Sequence, residues 1–221
     1  MPERSGALLL DTDMLVLLTA AGLLESVAHH LGYAPNQIRR LPAALHQVRK
    51  SKRFRDTYGE AVLQRIAAPI SAIKEVEPPT DLELLDVLNA TMDPGEAQLV
   101  AIAACQECTL LASGDKRAIG DLTRSGASDC IKAMSGRIVS LEAVLWILIG
   151  ATDPRQVRTS FLPVLGHATL RIVLSEHAVS DQERCRDGIR NYFNDLDGHA
   201  LGMLYNPAPE RLGAKPPRGK A

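Results

Sequence analysis

No run of apolar residues in this chain is long enough to cross a bilayer. The longest, Met14 to Leu24, has 11 residues, includes Thr19 and Gly22, and lies between Asp13 and Glu25. A spanning helix needs about 20. The N-terminus lacks a basic start leading into an apolar stretch and a cleavage site, so no secretory signal is expected. Four cysteines (Cys105, Cys108, Cys130, Cys185) in 221 residues are too few for a disulfide scaffold. They are expected to be reduced thiols in the cytoplasm, with no membrane partner. Excess charge is also missing. The 25 Lys+Arg nearly cancel the 26 Asp+Glu, so a nucleic-acid partner would have to be met by a local patch. Neither a glycine-rich phosphate loop nor a Ser–His–Asp constellation is present.

What is present is an ordinary globular composition, 46% apolar and 23% charged, which excludes wholesale disorder. The length suits one compact domain with an extension, or two very small domains. Ala7–Leu10 is a short apolar run that stops at Asp11 and reads as a buried parallel strand. Helical spacing follows from Met14 to Leu31, ended by Gly32. Residues 42 to 75 read as mostly helical, with Pro42 near a start and Pro69 as a break. Thr80–Glu83 and Asp93–Glu96 have capping-box form, each opening a helix. The second helix, Ala97 to Cys108, is expected to be deeply buried. Thr109–Ala112 and Ile138–Val139 are further strands, and Glu142 to Ile149 is a helix.

This alternation predicts an α/β fold with a central parallel sheet and helices on both faces. Beyond Asp153–Pro154, a mainly helical C-terminal extension is expected over 151–205, either packed back on the core or forming a homodimer contact. Residues 206–221, rich in Pro and Gly with a basic end, are expected to be disordered.

Ligands of open α/β sheets bind at the carboxyl ends of the strands. Asp11 and Asp115 end two strands here, Asp13 lies two residues beyond the first, and Glu96 opens the helix leading to the second. Such acids repel one another unless a cation compensates, and oxygen-only donors suit Mg²⁺ or Mn²⁺. The plain alternatives are helix caps for Asp11 and Asp13 and a capping-box partner for Glu96. Thr12 and Ser113 suit either support of the acids or ordinary turns.

Leu9-Leu10-Asp11-Thr12-Asp13-Met14-Leu15 resembles the opening strand motif of PIN-domain proteins. Gly95-Glu96-Ala97 is similar to the family's third acidic position. Leu110 to Ala118 resembles the strand ending in the last core acid, and Ile138 to Leu141 the closing strand. The resemblance spans roughly 6 to 150. It implies a three-layer α/β/α sandwich and metal-dependent nuclease chemistry, most often endoribonuclease action on single-stranded RNA. In that reading Asp11, Glu96 and Asp115 are catalytic and hold the metal, Asp13 assists, and Thr12, Gln47 and Ser113 stand behind them. Many small members are toxins paired with an antitoxin. One position departs from the family pattern: the second acid falls at Gln47, 36 residues after Asp11. Gln offers a carbonyl oxygen but no charge, so either metal binding is weaker or Asp13, Glu60 or Asp121 substitutes. The departure also motivates a second reading, a module that binds nucleic acid or a partner protein without cleavage.

Seven basic residues and no acid fall between Arg39 and Arg55. Arg49, Lys50, Lys52 and Arg53, with Lys116 and Arg117, are candidate phosphate contacts. The plain alternative is a solvated face or a docking surface for an acidic protein. Cys105-x-x-Cys108 lacks a second pair and is expected to be apolar filling inside a helix.

Overall fold

The computed structural model describes residues 4–209 and Leu212. Its first half runs β1 (Leu8–Leu10), α1 (Thr12–Ala21), α2 (Leu24–His30), β2 (Ile38–Arg40), α3 (Pro42–Lys50), α4 (Lys52–Tyr58), α5 (Glu60–Ala72), β3 (Lys74–Glu75) and α6 (Leu82–Asn89). Then come α7 (Pro94–Cys105), β4 (Leu110–Ala112), α8 (Lys116–Arg124), α9 (Ser128–Ala133), β5 (Ile138–Val139) and α10 (Leu141–Ala151). The C-terminal part contributes α11 (Pro154–Phe161), α12 (Ala168–Val173), α13 (Glu176–Val179) and α14 (Gln182–Asp197).

The five strands form one parallel sheet in the order β3-β2-β1-β4-β5. Every residue of β1 and β4 is buried, although successive side chains point to opposite faces. Both faces of the sheet are therefore covered by helices, which is the expected three-layer arrangement. The chain leaves β1 toward β2 on one side and returns through β4 on the other. The crevice at the carboxyl ends of β1 and β4 is thus the point where the strand order reverses.

Several local expectations need correction. The helix expected over Met14–Leu31 is two, α1 and α2, meeting at 108°. Gly22 at φ 68° closes α1 in the left-handed region, its N–H bonding back to Leu18 and Thr19 carbonyls. Pro69 does not break its helix but lies inside α5, which Leu63, Ile66 and Ile70 anchor in the core. The cap of α6 is Asp81, accepting from the Leu84 N–H, rather than Thr80. The strand β2 was hidden by its two arginines, and Arg40 is nevertheless buried. Helix α7 stops at Cys105, and both Cys105 and Cys108 are exposed instead of filling a helix interior.

The C-terminal segment packs back. Cys185, Ile189, Phe193 and Leu196 of α14 join the same apolar core as β1 and α1. The segment also covers the edge of the sheet: Ile138 N–H donates to the Met203 carbonyl and Tyr205 N–H to the Ile138 carbonyl. Of residues 206–221, those described are 206–209 and Leu212; Leu212 is buried and its carbonyl accepts from Asn206. Residues 210, 211 and 213–221 lie outside the described residues. Among the described residues no single helix is long and apolar enough to cross a membrane.

Candidate functional site

The register of the sheet builds the site. Leu10 pairs with Ala112, and the next amide, Asp11 N–H, donates to the Ala112 carbonyl at 3.0 Å. Asp11 therefore emerges beside Ser113 and ahead of α1. Its Oδ1 accepts from the Met14 N–H at 2.6 Å, which caps α1. Its Oδ2 accepts from Ser113 Oγ at 2.6 Å and the Gly114 N–H at 3.1 Å. One side chain thus caps α1 and bonds to the end of β4. Ser113 Oγ also accepts from the Asp115 N–H at 3.2 Å, so one hydroxyl ties both strand-end acids together.

Asp115 begins α8 and accepts from the Arg117 N–H at 2.8 Å. Asp93 caps α7 through the Gly95 N–H at 2.9 Å. Among the described residues the reciprocal bond from Glu96 is not formed. Glu96 instead turns into the same cleft as Asp11 and Asp115. That cleft, of ≈ 430 Å³, is walled by Asp11, Thr12, Asp13, Gln47, Arg53, Asp93, Glu96, Asp115, Arg117 and Asp121.

Electrostatic crowding is strongest at two members. Burial lifts Asp11 to about 6, against the pull of Ser113 and the backbone amides and with help from neighbouring Asp13. Burial, then the charges of Asp115, Asp93, Asp11 and Asp121, lift Glu96 to about 7. An apolar wall that includes Met92, Leu99, Val100 and Ile119 stands behind both and supplies the desolvation. Asp115 goes the other way. Burial pushes it up, but the side-chain and backbone bonds from Arg117 prevail and hold it below the ordinary carboxylate value. Asp13 is tied to Arg53 Nη2 at 2.7 Å and to Tyr58 Oη at 3.3 Å. Burial, followed by the charge of Asp13, drives the Tyr58 phenol well above its usual range.

Gln47 reaches the cleft. Thr12 Oγ1 donates to Gln47 Oε1 at 2.8 Å, so the carbonyl oxygen of the amide is the atom turned to the Asp11 strand end. Of the basic run, only Arg53 lines the cleft; Arg49, Lys50 and Lys52 are exposed on α3 and α4. Arg39 bonds to the nearby Asn36 and Ile38 carbonyls, and Arg40 is buried in the fold. Arg40 pairs with Glu75 at 3.1 Å and donates to the Ile70 and Leu41 carbonyls. Lys116 is turned away from the cleft, 3.7 Å from the buried Glu142 carboxylate and over the Tyr192 ring. Glu60 does not line the cleft, whereas Asp121 does. The capping of α7 by Asp93 is legible from sequence; its place in the cleft and the Tyr58–Asp13 bond are not, because neither residue lies in a strand-end motif.

All the charged acceptors here are oxygens, which fits a hard divalent cation. Among the described residues no three His, Cys, Asp or Glu side chains stand together as a ready ligand set. Mg²⁺ commonly takes one or two carboxylates and keeps several waters. Asp11 and Glu96, the two crowded acids, meet that smaller demand. Comparison of the chain with family models, curated proteins and solved structures gives no match.

Proposed function

We propose that the cleft holds Mg²⁺ or Mn²⁺ and that the chain is a metal-dependent phosphodiester hydrolase of the PIN-like kind, acting on single-stranded RNA. One observation carries this reading. Six carboxylates line the cleft against two guanidinium groups, a formal excess of four negative charges. A cleft so charged repels a phosphodiester unless a cation comes between them. Its place at the reversal point of the strand order and the motifs around Asp11, Glu96 and Asp115 support the same reading. When bound, the cation would supply Lewis acidity and charge neutralisation for displacement at phosphorus. Asp11 and Glu96 would hold it, Ser113 would fix the Asp11 carboxylate, and the charge of Asp115 would add to the field around Glu96. The exposed Arg49, Lys50 and Lys52 would attract the strand.

The test is cleavage of a labelled single-stranded RNA with and without Mn²⁺. Cleavage should require the metal and fall by at least about 100-fold in Asp11→Asn and Asp115→Asn. Activity that survives both changes rules this site out. A second reading rests on Gln47, neutral where the family carries an acid: the chain then holds RNA without cutting it. Salt-sensitive binding that ignores chelator, with no cleavage even in Gln47→Glu, would favour that reading.

A further inference from the structure

The two arginines of the cleft rest on its own carboxylates. Arg53 Nη2 lies 2.7 Å from Asp13 Oδ2. Arg117 reaches Asp115 with Nη2 at 3.3 Å and Nε at 3.4 Å. They arrive from different sides. Arg53 belongs to α4, in the crossover after β2, and Arg117 to the first turn of α8, after β4. Strands β2 and β4 flank β1 on its two edges, so the arginines bracket the end of the strand that delivers Asp11.

Both guanidinium groups are mostly in solvent, at 66% and 81% side-chain exposure, while Asp13 and Asp115 are at 24% and 21%. The acids belong to the protein and the cations to the water. Exposed ion pairs of this kind hold weakly and are screened by salt. A divalent cation held beside them by Asp11 and Glu96 would compete with the two guanidinium groups for the same negative field. Once released, a guanidinium fork is matched to phosphate oxygens.

Resting on the reading of the cleft as a cation site, we propose that Arg53 and Arg117 are its exchangeable counter-ions. They neutralise Asp13 and Asp115 while the cleft is metal-free. A divalent cation displaces them, and they then hold phosphates of the RNA strand on the two sides of Asp11. Each arginine opposes metal binding and favours RNA binding, so its removal moves the two affinities in opposite directions. A residue that only stabilised the fold, or only touched phosphate, would not do this.

The experiment measures two affinities in Arg53→Ala, Arg117→Ala and the double variant. Both side chains are exposed, and neither replacement removes core packing. Mn²⁺ alone is titrated calorimetrically. A phosphorothioate-linked single-stranded RNA is followed by fluorescence anisotropy over a range of salt, with Mn²⁺ present. Each single variant should bind Mn²⁺ about two- to fivefold more tightly than the unaltered chain. Each should bind the RNA more weakly, with a salt slope lower by about 0.7 per arginine. Arg49→Ala, on α3 outside the cleft, should lower the RNA slope and leave Mn²⁺ affinity unchanged. If the unaltered chain binds Mn²⁺ and the variants bind it no more tightly, the exchange is overturned and the cation site stands. If the unaltered chain takes up no Mn²⁺, the cation reading falls and the exchange with it.

Discussion

Glu96 is the residue whose environment conflicts most with its charge. Its neighbours Asp115, Asp93, Asp11 and Asp121 are all acids, and an apolar wall stands behind it. Asp11 is deeply buried and nearly as crowded, although three hydrogen bonds, from Met14, Ser113 and Gly114, keep it in place. Both groups sit above their unfolded values, so the native state binds more protons than the unfolded chain. Their contribution to stability is complete below about pH 4 and fades as pH rises through about 6 and 7. The metal-free protein should therefore lose thermal stability between about pH 5 and 8, and Mn²⁺ should recover it at the upper end. Glu96→Gln removes one charge from the crowd. It should stabilise the metal-free protein at about pH 8 by roughly 1 kcal/mol, a figure reduced for the half-exposed position, and should weaken Mn²⁺ binding. Melting curves at two pH values, with and without metal, check both statements. A Glu96→Gln protein that melts lower at the higher pH would contradict this electrostatic account.

At the scale of elements, the least expected strand is β2. Its sequence Ile38-Arg39-Arg40 looks like part of a basic run, yet its neighbours fix it in the sheet between β1 and β3. Arg40 sits directly opposite Glu75 in the register and closes that pairing with an ion pair and two bonds to backbone carbonyls. Removing the guanidinium leaves two buried carbonyls without these donors and the β2–β3 edge unlatched. Arg40→Ala should cost about 3 kcal/mol in a urea titration. Glu75 is half exposed, and Glu75→Gln should cost under about 1 kcal/mol. Equal losses for the two variants would contradict the unequal burial of the pair. Gly6 makes a comparable point at the opening of β1. A Cβ there would lie 2.3 Å from the Cys108 carbonyl oxygen, so the chain needs glycine where these two backbones meet.

For the whole molecule, the C-terminal segment is part of the fold and not an appendage. Helix α14 lays Ile189, Phe193 and Leu196 into the core, and the chain around Met203 and Tyr205 occupies the free edge of β5. Phe193→Ala should cost about 3–5 kcal/mol, read from the denaturant midpoint. A chain ending at Ala151 would expose both the apolar floor and a parallel strand edge, and should be recovered aggregated instead of monomeric. A soluble, cooperatively melting fragment of that length would contradict this. Lys116 shows how the segment reaches toward the site: it follows Asp115 directly, yet its ammonium group lies beside Glu142 and over the ring of Tyr192 from α14.

Local sequence determined the apolar strands that end in Asp11 and at Ser113–Asp115, the acidic cap before α7, and the alternation that makes a parallel α/β sheet. Each of those is written in a few adjacent residues, where apolar run length and capping chemistry act directly. The tertiary structure decided everything that depends on which distant side chain a group meets. It turned Arg40 inward and Lys116 aside, left the two cysteines of the Cys-x-x-Cys pair exposed, and brought Gln47 to Thr12. It also set Arg53 on Asp13. A charge in sequence carries no record of its partner, because partners such as Glu142 for Lys116, Glu75 for Arg40 and Asp13 for Arg53 are chosen by strand order and helix packing. Burial and counter-charge, the two quantities that set the behaviour of these acids, exist only once that packing is made.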